Sequence, residues 1–220
     1  MLWRVAQGDI PAKHHIAHRG PGGALRWEEC ITRAGFDGSY TIAYHVYRPH
    51  EQMVAPELAS RGWRAPVAVG LDAPLEKRHF KTQDLKPQGG TALDATEILL
   101  FNDDLEVGLV TPTITDDIFR IDGDMDTLLF IYRGKGYVET PLGDLRFETD
   151  DYVCIPKGIA HRIHVEDGVE QRYLHLGVQD LDLLKQWRNT SGQLTMDAPY
   201  CHRDFRLPEL KPVDPSEEGR

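Results

Sequence analysis

Between residues 96 and 178 one pattern recurs: a short run of aliphatic, aromatic and β-branched residues, then a turn signal of Gly, Pro, Asn or Asp. EILLF (97–101) and LEVGLV (105–110) flank the polar trio Asn102, Asp103 and Asp104, and TLLFIYR (127–133) runs into the Gly-Lys-Gly of 134–136. YVET (137–140) turns at 141–144 into LRFET, and YVCIP (152–156), AHRIHV (160–165) and QRYLHLGV (171–178) follow. Runs this short cannot be helices of ordinary length, and turn chemistry between each pair favours antiparallel neighbours, so the pattern predicts an all-β antiparallel sandwich or barrel. LDLLKQWR (181–188) is the one stretch with helical spacing and predicts a helix.

The flanks read differently. Tyr40 to Tyr47 is rich in β-branched and aromatic residues and stops at Pro49, as a strand does at a sheet edge. From Gln52 to Thr91 the chain holds Pro56, Pro66, Pro74 and Pro87 with little periodicity, which predicts a long irregular arm. The Pro-rich, charged tail from Pro208 reads as a linker or disordered end. The expected organisation is therefore 1–95 as N-terminal strands and arm packing on the barrel, 96–180 as the barrel core, and 181–220 as a crossover segment and linker tail.

The net charge is −10, which argues against nucleic acid as a partner, because neutralising phosphates needs a basic face. No stretch reaches the roughly 20 apolar residues of a membrane span, and the first residues lack the apolar centre of a signal peptide. The expectation is a cytoplasmic protein without membrane or nucleic-acid partners. Cys30, Cys154 and Cys201 stand at no metal-binding spacing and are odd in number, so they predict neither a zinc site nor a disulfide framework. Cys154, between Val153 and Ile155, is expected to be buried as a small apolar residue.

Chemistry concentrates around PKGIAH (156–161). Pro156 ends one strand, Gly158 permits the turn, and the next strand is expected to aim His161 into the barrel. The order PxGxxH, with Gly134, Gly136 and Gly143 upstream, resembles the second motif of the cupin barrels and implies a cupin-like jelly roll. A metal-binding cupin's first motif supplies two His in an HxH pattern and a Glu seven residues before the turn glycine. Here Thr127 stands at the Glu position, and the HxH region reads RIDGDMD (120–126). A facial two-His, one-carboxylate iron site needs all three ligands. The remaining candidates are His161 and His175, with Asp124 or Asp126 as carboxylate donors. Asp122, Asp124 and Asp126 alternate as in a calcium loop, but the rest of an EF-hand is missing and a solvated turn is expected.

Separated segments carry a more specific likeness. IPAKHHIAHRGPGGALRWEECITRAGFDGSYTIAYHVYRP (10–49), LLFNDDLEVGLVTP (99–112), the stretch 127–163 and RNTSGQLTMDAPYCHRDFR (188–206) resemble, in order, the first half of the homogentisate 1,2-dioxygenases. That resemblance implies an Fe(II) and O2 ring-cleaving family that converts homogentisate to maleylacetoacetate in tyrosine and phenylalanine breakdown. It implies two cupin-like halves, with the iron ligands and catalytic His in the second, and assembly into trimers and hexamers. No catalytic residue carries over to this chain, which alone is expected to bind no iron and to be inactive, with a C-terminal half or neighbouring subunits as partners. The alternatives are a stand-alone degenerate cupin serving as a binding or oligomerisation module, and a diverged metal-binding cupin using His161.

Overall fold

A computed structural model describes residues 17–32, 35, 40–46, 48–49, 74, 79, 81–182, 184–190 and 193–210. Ten strands are described: β1 (Trp27–Thr32), β2 (Tyr40–His45), β3 (Thr96–Phe101), β4 (Leu105–Val110), β5 (Asp126–Arg133), β6 (Lys135–Thr140), β7 (Gly143–Glu148), β8 (Tyr152–Ile155), β9 (Arg162–Val165) and β10 (Arg172–Val178). They form a β1-β2 hairpin, a five-stranded sheet in the order β3-β4-β10-β5-β8, and a three-stranded sheet in the order β7-β6-β9. Every strand pair is antiparallel. The fold is the expected all-β antiparallel sandwich.

Alternation along the strands builds its core. Leu129 and Ile131 of β5, Val153 and Ile155 of β8, Tyr173 of β10 and Val110 of β4 point off one sheet onto Val138, Phe147 and Ile163 of the other. The rings of Phe147 and Tyr173 meet edge to face at 5.6 Å, so the largest buried side chains bridge the two sheets. The same parity places Cys154 on the opposite face of β8 from Val153 and Ile155, where it is half-buried rather than part of the core. None of the three cysteines forms a disulfide.

Two buried aspartates hold the loops. Asp116 accepts from the amides of Ala92 (2.7 Å) and Ile163 (2.8 Å), and Asp126 from those of Lys157 (2.9 Å) and Leu181 (2.8 Å). Each carboxylate joins chain segments far apart in sequence and satisfies amides that burial would otherwise strand.

The helical spacing over 181–188 is a correction: among the described residues of that stretch the helical element is a 3₁₀ turn, Lys185–Trp187. Leu184 takes a left-handed φ of 62°, which breaks a helix there, and the amide of Leu181 is already committed to Asp126. The tail is also more structured at its start than its composition suggests. Glu209 pairs with Asp144 through two backbone hydrogen bonds of 3.2 and 2.8 Å, and Arg206 grips Asp151 with both Nη atoms at 2.8 and 3.1 Å. Gly143, at φ 111°, makes this docking possible, because a Cβ there would collide with the Glu209 carbonyl. Most of the irregular arm predicted over 52–91 lies outside the described residues. Of the part described, Thr82–Asp84 forms a 3₁₀ turn; Arg172 donates to the carbonyls of Thr82 and Leu85, and Gln83 donates to the Tyr132 hydroxyl. No helix among the described residues is long and apolar enough to cross a membrane.

Candidate functional site

One end of the sandwich interior is apolar and the other is polar. Strand register places Tyr173, His175 and Gly177 of β10 beside Ile131, Leu129 and Thr127 of β5, and beside Val110, Gly108 and Glu106 of β4. Toward the Gly177 end the inward positions therefore change from Tyr173 and Ile131 to His175, Glu106 and Thr127. The loop before β5 closes this end. Arg120 pairs with His161 as an isolated antiparallel bridge, each amide donating to the other's carbonyl at 2.9 Å, and this pins Arg120 beside the histidine.

His161 is only 3% exposed. Its Nδ1 lies 2.9 Å from the Ile159 carbonyl, an acceptor, so Nδ1 carries the proton and Nε2 presents a lone pair. That lone pair accepts from Arg120 Nε at 3.1 Å. Burial, with the Arg120 charge beside it, pushes the His161 pKa down to about 4, so the ring is neutral near pH 7. His175 is likewise lowered to about 4, by burial first and then by Arg120. Burial also pushes the Arg120 pKa down, opposed by the carboxylates of Asp116 and Asp122. Glu106, 5% exposed, is raised by burial and by Asp122. The Cβ position of Gly177 locates the convergence: Met125 Sδ is 3.0 Å from it, His175 Nε2 3.3 Å and Glu106 Cβ 3.5 Å.

The structure thus brings His161 and His175 to one end of the interior, both within the field of Arg120. It does not bring the acidic candidates to them. Asp126 is a correction: it is fully buried, and each of its oxygens already accepts a backbone amide, so it is neither a solvated turn residue nor an open carboxylate donor. Asp124 is exposed and lines a shallow outer cleft of about 490 Å³ with Gly123, Met125, Lys157, Gln179 and Asp180. Asp122 accepts from the amides of Asp124 and Met125, a local turn in place of a calcium loop.

Among the described residues, no three His, Cys, Asp or Glu side chains are grouped to hold a metal ion. The donor set does not fit a facial iron site either. Thr127 offers no carboxylate, and the Nε2 lone pair that His161 would give a metal is taken by a guanidinium, whose positive charge repels a cation at the same place. Sequence reasoning missed Arg120 and Glu106. The signal for Glu106 was its place two and four residues before Gly108 and Val110, on the same face of β4.

No family model matches the chain. A protein of Saccharolobus solfataricus named "putative dioxygenase" is 28% identical over 217 residues, which are 97% of this chain and 54% of the relative. The chain thus spans about half the length of the curated relative it matches. Among solved structures, a cupin-2 domain protein of Shewanella frigidimarina matches 38% of this chain and 78% of its own, at 14% identity and a TM-score of 0.34. The cupin domain of Schizosaccharomyces pombe Cnp3 matches 39% of this chain and 60% of its own, at 16% identity and a TM-score of 0.36.

Proposed function

We propose that this chain is the non-catalytic, cupin-like half of a dioxygenase of the homogentisate 1,2-dioxygenase type. The observation that carries the reading is the Arg120 to His161 hydrogen bond: it puts a cation where a metal-binding cupin needs an open ring nitrogen. The near end-to-end similarity to a protein named as a dioxygenase, of which this chain matches about half, supports the same division of labour. In this reading Fe(II) is held by a second half, homogentisate is cleaved there, and the present barrel packs against that half or against neighbouring subunits in a homo-oligomer.

The test is to purify the 220-residue protein, measure its iron by elemental analysis, and follow oxygen uptake with homogentisate and added Fe(II). The expected result is less than stoichiometric iron and no uptake. Robust uptake by these 220 residues, abolished by His161→Ala, would instead establish the diverged metal-binding cupin.

A further inference from the structure

An antiparallel sheet with one face in water alternates apolar and polar residues along its strands. The five-stranded sheet does not. Directly paired residues share a face, and the registers place two rows across the side of this sheet that points away from the core. One row runs Glu97, Leu109, Leu174, Phe130, Tyr152, and the other runs Leu100, Val107, Leu176, Leu128, Cys154. Glu97 is the one charged side chain in either row. The face is open at its centre and at both edges: Leu174 on the middle strand is 38% exposed, Leu100 on β3 66% and Tyr152 on β8 70%. A contiguous exposed apolar patch marks an interaction surface. Five strands about 4.8 Å apart, with about five residues of each, make a face of roughly 24 by 17 Å, ~400 Å² in flat projection. Side chains that stand up from the sheet present more than the flat area, so two such faces together bury on the order of 1,000 Å², the low end of specific interfaces.

We propose that this face joins two copies of the chain about a two-fold axis that runs along β10. Sheets packed face to face keep their strands within about 30° of alignment, and a two-fold contact sets one patch against itself. That axis lays β10 on β10, β4 on β5 and β3 on β8 of the facing copy, because the strand order β3-β4-β10-β5-β8 has β10 at its centre. Apolar side chains then meet apolar ones: Leu109 faces Phe130, Val107 faces Leu128, and the protruding Leu100 faces the smaller Cys154. Glu97 faces Tyr152, whose hydroxyl can donate to the carboxylate that accepts from Gln88 Nε2 at 3.3 Å within its own chain. The other two-fold, running across the strands between the rows, lays Glu97 on Leu100 and buries a charge without a donor. Each copy carries a net charge of −10, and a contact nearly free of charged groups lets two such copies meet without setting like charges against each other. The inference does not rest on the dioxygenase reading, and its test involves neither iron nor homogentisate.

The test is sedimentation velocity of the 220-residue protein over a concentration series, where a reversible monomer-dimer equilibrium is expected. Leu174→Lys sets two like charges together at the axis and should weaken the dimer about tenfold or more. Arg146→Glu, at an exposed position on the three-stranded sheet, should leave it unchanged. In a Cys30→Ser, Cys201→Ser background, Leu100→Cys should form a disulfide with Cys154 of the facing copy on mild oxidation with diamide, and adding Cys154→Ser should abolish it. Within one chain β3 and β8 are opposite edges of the sheet, about 19 Å apart, too far for a disulfide, so the product must be a covalent dimer. A monomer at every concentration overturns the proposal and leaves the face to a different partner. Open-ended aggregation, a dimer unaffected by Leu174→Lys, or no cross-link between positions 100 and 154 overturns it as well. If Leu174→Lys fails to fold, the cross-link decides alone.

Discussion

Arg120 Nε donates to Nε2 of His161 at 3.1 Å, so the barrel's one motif histidine serves as the acceptor for a cation rather than as a ligand for one. Burial first, and then the charge of the same guanidinium, lower the pKa of His175 as they do that of His161. Both have folded-state pKa values of about 4, against 6.5 in an unfolded chain. The unfolded chain therefore binds more protons between these values, and stability must rise with pH from about 4 to 6.5 and level off above. The rise is on the order of a few kcal/mol, since each pKa unit corresponds to about 1.4 kcal/mol. Glu106 works the other way: its raised pKa means that the fold holds that proton more tightly, which subtracts from stability as pH rises above 4.5. Urea midpoints across this range should show the rise. His175→Gln should flatten it by roughly half, and Glu106→Gln should steepen its upper part. An unchanged slope in His175→Gln would remove that histidine from the account.

Asp126 is a structural clamp, and two variants separate that role from metal binding. Asp126→Ala strands the buried amides of Lys157 and Leu181, so a loss of about 3 to 5 kcal/mol is expected in chemical denaturation. Asp124→Ala changes an exposed side chain and should stay within about 0.5 kcal/mol. Comparable losses in the two variants would refute the assignment.

The strands were legible because alternation and turn chemistry agreed along 96–178, and the boundaries differ by only a residue or two from those of the sequence runs. His161 and its inward aim were legible from Pro156 and Gly158. Arg120 was not, because nothing local marks an inward arginine in RIDGDMD; its direction comes from pairing with His161, a contact 41 residues away. Asp126 was misread for the same reason, since its partners, Lys157 and Leu181, lie 31 and 55 residues on. The spurious helix at 181–188 shows the limit of periodicity: the spacing of leucines says nothing about an amide already claimed by a distant carboxylate.

Gly143 offers a test of the docked segment around Glu209. Gly143→Ala suffers twice, from a φ of 111° and from the Glu209 carbonyl in the way of the new Cβ. The pairing of Asp144 with Glu209 should break while the sandwich core persists. Amide exchange at Asp144 and Glu209 should accelerate markedly, with protection at Ile131 and Ile163 retained. Arg206→Ala removes only exposed ion pairs with Asp151 and Glu148 and should cost less than about 1 kcal/mol. Unaltered exchange at Glu209 in Gly143→Ala would show that the close approach does not hold the segment.

On the outer face of the three-stranded sheet, Glu139 Oε2 accepts from both Arg162 Nε (2.5 Å) and His164 Nε2 (2.7 Å). The His164 ring stacks on Tyr137 at 4.2 Å, and the Arg162 guanidinium lies 4.7 Å from the Phe119 ring centre. Glu139 is buried, with 11% side-chain exposure, so removing it leaves two cross-strand donors without their acceptor in a poorly solvated place. Glu139→Ala should cost about 2 to 4 kcal/mol in thermal or chemical denaturation. Glu139→Leu on an Arg162→Leu, His164→Phe background should recover much of that loss, because replacing all the polar partners with apolar ones removes the desolvation cost along with the attraction. Failure of the triple variant to regain stability over Glu139→Ala would mean that the ion pairs contribute net stabilisation beyond what packing can replace.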